Sequence, residues 1–127
     1  MTRQNTEAIA TYANLMELDA KWLPAYIEAG HAYLNLRLPS VALSYYLRAI
    51  RIANLTGQEI KDPLLYQRAG SIYITEEKWE DARVMFLLCA EQHKTAYSYF
   101  NLGVASYNLG LYDEAEKVLG VVNFMDS

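Results

Sequence analysis

The sequence predicts an all-α fold of repeated helix pairs, and three observations carry the prediction. Gly30, Gly70 and Gly103 each follow a tyrosine by four residues (Tyr26, Tyr66, Tyr99) and precede an alanine by twelve (Ala42, Ala82, Ala115). Each of those alanines precedes a bulky residue by four, namely Tyr46, Phe86 and Leu119, and Ala8 with Tyr12 repeats the spacing without a glycine. Successive alanines are therefore 34, 40 and 33 residues apart. A fixed period of this size marks stacked structural repeats, each burying its apolar face against its neighbours. The third observation is compositional: with Gly 6 and Pro 3 in 127 residues, loops must be few and short. A chain of this length suits one domain, and 53% hydrophobic with 20% charged residues is an ordinary globular balance.

Taken in order, the first helix is expected over 5–19, a second-type helix without its first-type partner. Helix pairs are then expected over 23–37 with 40–55, 63–76 with 79–92, and 96–109 with 112–124. Pro39 and Pro63 fit the first turn of a helix, where the missing N–H is harmless. The loop around TGQEIKD holds the six residues by which the 40-residue interval exceeds 34. Asp113 and Glu114 favour a helix start near 112 through the helix dipole. These boundaries give a single domain over 1–127, with a half repeat at 1–22, repeats at 23–56, 63–95 and 96–127, and an inserted loop at 57–62.

A glycine inside a helix costs about 1 kcal/mol relative to alanine, so three in register need a packing reason. Each is expected to let the first helix of a pair approach the second at the small Ala42, Ala82 or Ala115. The large residues four positions on then fill the wedge, at interaxial distances of roughly 8–10 Å. Most of the 11 tyrosines are thereby structural.

The clearest copy, Tyr99-Phe-Asn-Leu-Gly-Val-Ala-Ser-Tyr-Asn-Leu-Gly-Leu-Tyr-Asp-Glu-Ala115, resembles the tetratricopeptide repeat (TPR) family. The other full copies keep Tyr26/Ala29/Gly30/Tyr33/Ala42/Tyr46/Ala49 and Tyr66/Ala69/Gly70/Tyr73/Ala82/Phe86/Cys89. The third departs at Ser106, where the family has an aromatic, and at Val122, where it has alanine. Ala20, Asn54 and Lys94 stand where the closing proline belongs. The resemblance implies an α-solenoid, a right-handed superhelix of about three and a half repeats and seven helices. A narrower resemblance, through Phe86-Leu-Leu-Cys-Ala, Gly103-Val-Ala-Ser-Tyr, Ala115-Glu-Lys-Val-Leu and Asn123-Phe-Met-Asp, is to cilia- and flagella-associated TPR proteins of the axoneme. It implies a scaffold in a microtubule-based assembly.

Charge and composition exclude several function classes. Eleven basic residues against 15 acidic ones give a net charge of -4, and the basic residues are scattered, which argues against nucleic-acid binding. No apolar run approaches the roughly 20 residues of a membrane span, and MTRQNTEAIA lacks a signal-peptide core, so a cytoplasmic protein is expected. Cys89 lies in the apolar stretch MFLLCA and reads as a packed residue in a reducing compartment. His31 and His93 fall on different repeats, which leaves no zinc spacing, and a Cys89/His93 pair at i, i+4 reads as packing beside a helix end. Gly103 and Gly110 do not form a phosphate loop, and Glu76, Glu77, Glu80 and Asp81 beside Lys78 read as solvated helix ends. No catalytic residue, metal or cofactor is expected, and the chain is read as a non-enzyme.

TPR geometry implies that residues two, five, nine, twelve and thirteen of each repeat face a concave groove. In the first repeat these are Pro24, Ile27, His31, Leu34 and Asn35; in the second, Leu64, Gln67, Ser71, Ile74 and Thr75; in the third, Tyr97, Phe100, Val104, Tyr107 and Asn108. The basic clamp that TPR proteins use for acidic chaperone tails is not matched, since its positions hold Ile27, His31, Arg68, Tyr97 and Asn101. The lining is apolar and neutral, which suits an apolar or amphipathic peptide or helix. The alternative is a structural segment whose groove and ends are covered by a longer parent chain or by self-association. Val121, Phe124 and Met125 are expected at a self-association surface, a homodimer about a two-fold axis.

Overall fold

The computed structural model describes residues 3–125, and among them there are seven helices and no strand. They are α1 (Arg3–Leu18), α2 (Leu23–Asn35), α3 (Pro39–Thr56), α4 (Pro63–Thr75), α5 (Trp79–Gln92), α6 (Ala96–Asn108) and α7 (Tyr112–Met125). Every expected helix is present, with ends within two residues of expectation. The chain divides into two compact units at the inserted loop, between Ile60 and Lys61. In the first, α2 packs against both α1 and α3. In the second, α4 packs on α5, α5 on α6, and α6 on α7. No described helix is long and apolar enough to cross a membrane.

Local chemistry explains the boundaries. Pro39 and Pro63 open α3 and α4 as expected, and the Asp62 carboxylate accepts from the backbone N–H of Leu64 at 3.0 Å. A capping box closes the start of α6: Thr95 accepts from the Ser98 N–H, and the Ser98 side chain bonds the Thr95 backbone in return. The first helix of each pair ends one or two residues earlier than expected, because all three pairs use one turn. Arg37, Glu77 and Gly110 occupy the same repeat position, with φ of 62°, 58° and 80°. The following N–H reaches back five residues in each case, Leu38 to Tyr33, Lys78 to Tyr73 and Leu111 to Ser106, at 2.9–3.0 Å. This is a Schellman ending, and only Gly110 adopts its left-handed backbone without the Cβ penalty. With Asn54 in place of a proline, α3 runs on to Thr56 and ends at Gly57.

The core of each pair corrects one detail of the expected packing. The three glycines do lie against the second helix, but they face its large residue rather than its alanine. A Cβ added to Gly70 would come within 2.6 Å of the Phe86 ring, and one on Gly103 within 2.6 Å of Leu119. A Cβ on Gly30 would collide with the Tyr46 ring in the same way. Tyr46 and Phe86 are fully buried, as are Ala42 and Ala82 one turn earlier. The small alanine thus admits the neighbouring helix while the glycine seats the ring, so both small residues serve one large one.

Replacing Gly70 by leucine therefore forces the fully enclosed Phe86 ring to move, which is expected to cost about 1–3 kcal/mol or more. Urea unfolding followed by circular dichroism measures it, and a variant as stable as the parent would disprove this packing.

Candidate functional site

In the first unit, two of the expected groove residues, Ile27 and His31, are drawn into packing. Ile27 is only 8% exposed and offers a partner little surface. His31, half-buried, is bound through Nδ1 to the Tyr46 hydroxyl at 2.7 Å, with the rings edge to face at 5.4 Å. Its imidazole therefore supports the residue that seats on Gly30. Leu34 is half-buried and Asn35 exposed. The same unit also carries an aromatic and cationic stack. Tyr33 and Tyr45 lie parallel with centroids 5.2 Å apart, and the Arg48 guanidinium sits 5.3 Å from the Tyr45 ring and 5.4 Å from the Tyr26 ring. Burial, and then the neighbouring Tyr45, push the Tyr33 hydroxyl above its ordinary pKa.

In the second unit, the expected residues of α4 and α6 do meet. The Ser71 and Tyr97 hydroxyls are 2.9 Å apart, Ser71 also donates to the Gln67 carbonyl, and Tyr97 meets Phe86 edge to face at 6.1 Å. Gln67, Ser71, Ile74 and Val104 are half-buried, and Asn108 is exposed with its amide donating to the Val104 carbonyl. Positions 97, 100, 104 and 107 recur at helical spacing and so form one stripe along α6. Along it Tyr97 is 46% exposed, Phe100 52% and Tyr107 61%, the last resting edge to face on Tyr112 at 5.2 Å. On α7, Val121, Phe124 and Met125 are all exposed.

Sequence reasoning missed a polar cluster. Arg83 donates from Nε and a terminal nitrogen to both carboxylate oxygens of Glu114, at 2.8 and 2.7 Å, and the fully buried Ser106 donates to the same carboxylate at 2.7 Å. Glu114 is in the first turn of α7, as its helix-start reading required, but its carboxylate joins α5, α6 and α7. Hydrogen bonds from Arg83 and Ser106 hold its pKa down at about 2, against some opposing desolvation. The available signal was the departure at Ser106, where the other repeats have Tyr33 and Tyr73. Between α5 and α7 lies an open cavity of about 540 Å³, floored by Leu87, Ala90, Leu102 and Val118.

Cys89 is buried, its thiol 3.9 Å from the Pro63 carbonyl, and burial pushes its pKa up, which disfavours the thiolate. His93 is exposed at the end of α5, where its backbone N–H caps the Cys89 carbonyl. 

The profile of the tetratricopeptide repeat matches residues 23–54 and 96–120. Among solved structures, YrrB, described as a TPR protein with an unusual peptide-binding site, superposes with a TM-score of 0.84 at 22% identity. The fold is that of the TPR proteins. A MamA crystal structure matches with a TM-score of 0.72 at 16% identity, over 92% of this chain. MamA from Desulfovibrio magneticus RS-1, residue 41 to its end, gives 0.70 at 14% identity over 97% of this chain. The chain spans 61% of the YrrB structure and 66% of the first MamA structure. No curated protein matches the sequence significantly.

Glu114 makes acid stability testable. Its folded pKa lies below its unfolded value near 4.5, so its contribution is fully present above that value and is lost as pH falls toward about 2. Thermal melts of the parent are expected to lose ground to those of Glu114→Gln across this window; parallel curves would contradict the cluster.

Proposed function

We propose that the chain is a non-catalytic protein-interaction scaffold that takes an apolar or amphipathic helix or peptide on the aromatic stripe of α6. The carrying observation is the exposure of Tyr97, Phe100 and Tyr107 on one side of a helix whose opposite side, Leu102, Ala105 and Ser106, is buried. Folding does not require three half-exposed aromatics in a row, whereas association surfaces concentrate their energy in such residues. Ser71, Gln67 and Asn108 flank the stripe with polar groups that can orient a bound backbone. The fold shared with YrrB, whose description names a peptide-binding site, supports a peptide ligand. Ile27, His31, Leu34 and Asn35 are proposed as groove residues of the first unit, where His31 is engaged with Tyr46. The narrower sequence resemblance carries the finer setting of this proposal, an axonemal assembly of the cytoplasm or cilium.

Capture from cell extract tests the surface. Tyr107→Ala is expected to weaken retention of the wild-type partner by more than about 1 kcal/mol, roughly fivefold, with helix content unchanged. Val84→Ala, on an exposed position of α5, is the control and is expected to retain it. Equal retention by Tyr107→Ala would place the site elsewhere.

A second reading, self-association about a two-fold axis, is favoured by α7, where Phe124 is 84% exposed beside exposed Val121 and Met125. Sedimentation across a concentration series is expected to show a dimer, and Phe124→Glu with Met125→Lys a monomer. A parent that stays monomeric at high concentration would end this reading.

A further inference from the structure

The first unit holds an internal template for the cavity between α5 and α7. In repeat register, Tyr26, Tyr33, Tyr45 and Arg48 stand where the third repeat has Tyr99, Ser106, Val118 and Val121. In the first unit these side chains close over one another. Tyr45 stacks on Tyr33, the Arg48 guanidinium covers both Tyr45 and Tyr26, and Tyr26 is left only 5% exposed. The third repeat puts valines in place of Tyr45 and Arg48. The Glu114 carboxylate joins Ser106 where Tyr33 would stand, but the room of the Tyr45 ring and the Arg48 guanidinium corresponds to the cavity of about 540 Å³, onto which Tyr99, Leu102 and Val118 open. Tyr99 is accordingly half-buried where Tyr26 is buried, and no cation among the described residues lies over its ring.

The rim indicates what would fill the space. Glu91 lines it from α5 and Asp113 from α7, and neither carboxylate is in an ion pair among the described residues. Lys94 and Lys117 line it as well, and both are exposed. An ammonium group is a strongly hydrated point charge on a flexible stem and stays in water, whereas a guanidinium is planar, more weakly hydrated and stacks on aromatic faces. An arginine brought in from outside can therefore lie on Tyr99 as Arg48 lies on Tyr26, and turn its N–H edge to a rim carboxylate. A following repeat would leave this flank open. Glu80 and Val84 hold on α5 the positions of Asp113 and Lys117 on α7, and both are exposed although α6 and α7 come after them.

We infer that the cavity between α5 and α7 is a docking site for a segment of a partner protein that presents an arginine and an aromatic residue one helical turn apart, with the guanidinium over Tyr99 and the ring on Leu102 and Val118. Tyr99 and Leu102 lie off the aromatic stripe of α6, so the site does not rest on the reading of that stripe.

The test uses the full chain and a lactam-bridged helical peptide with tyrosine and arginine three residues apart, bridged because so short a helix is marginal alone. A twin peptide has citrulline, of the same shape without the charge, for the arginine. In an NMR titration the arginine peptide is expected to shift the amides of Leu87, Ala90 and Val118, and the twin to bind more weakly by on the order of tenfold. Val118→Tyr with Val121→Arg rebuilds the stack of the first unit over Tyr99, and is expected both to abolish binding and to raise the melting temperature. Glu91→Gln with Asp113→Asn leaves the packing alone and is expected to bring the arginine peptide down toward its twin, while Tyr107→Ala should bind as the parent does. No shift at the cavity, equal binding of the two peptides, or a rebuilt stack that still binds or is no more stable than the parent would each overturn the site. So would a parent dimer that Val118→Tyr alone dissociates, which would assign the cavity to a second copy.

Discussion

The contact between a glycine and a large side chain is the constraint on which the rest of each helix pair depends. Where the Gly30 and Gly70 backbones leave no Cβ, the Tyr46 and Phe86 rings occupy the space, and neither ring retains any exposed surface. An interlock of this kind fixes rotation as well as distance, because a ring enclosed on all sides cannot be served by a neighbouring register. Rotation in turn decides which stripe of the first helix remains outside. On α6 that stripe is Tyr97, Phe100, Val104 and Tyr107, so the exposed aromatics are a consequence of how Gly103 is seated against Leu119.

The same repeat position answers different demands in the two units. At the positions of Tyr33 and Tyr73 the third repeat has Ser106. In the first unit, Tyr33 builds a stack with Tyr45 that Arg48 extends. In the second, the small serine leaves room for the Glu114 carboxylate, which binds Arg83 from another helix. A bidentate guanidinium pair with a third donor is far stronger than an isolated surface ion pair, because its geometry is already set by three packed helices. Loss of an aromatic from the repeat pattern is therefore not a loss of cohesion. It exchanges dispersion for a polar tie that holds α7 in place, and with it the apolar face that α7 presents.

The sequence by itself determined the number, order and approximate ends of the helices, and it did so through spacing. Glycine, alanine and aromatic positions recur because each repeat must solve the same packing problem, and Pro39, Pro63 and the six-residue loop punctuate them where backbone chemistry allows few options. Only the tertiary structure decided what each side chain does within that frame. Spacing alone does not distinguish whether Gly70 faces Ala82 or Phe86, since both lie on the same side of α5, and the choice depends on helix rotation. Nor could it show that His31 is held by Tyr46, that Ile27 is buried, or that Arg83 and Glu114, 31 residues apart, share two hydrogen bonds. Periodicity is a local property that each helix carries alone, whereas burial and pairing depend on where several helices are set against one another. The stripe on α6 was legible because it follows the period; the cavity between α5 and α7 was not, because its shape comes from three helices at once.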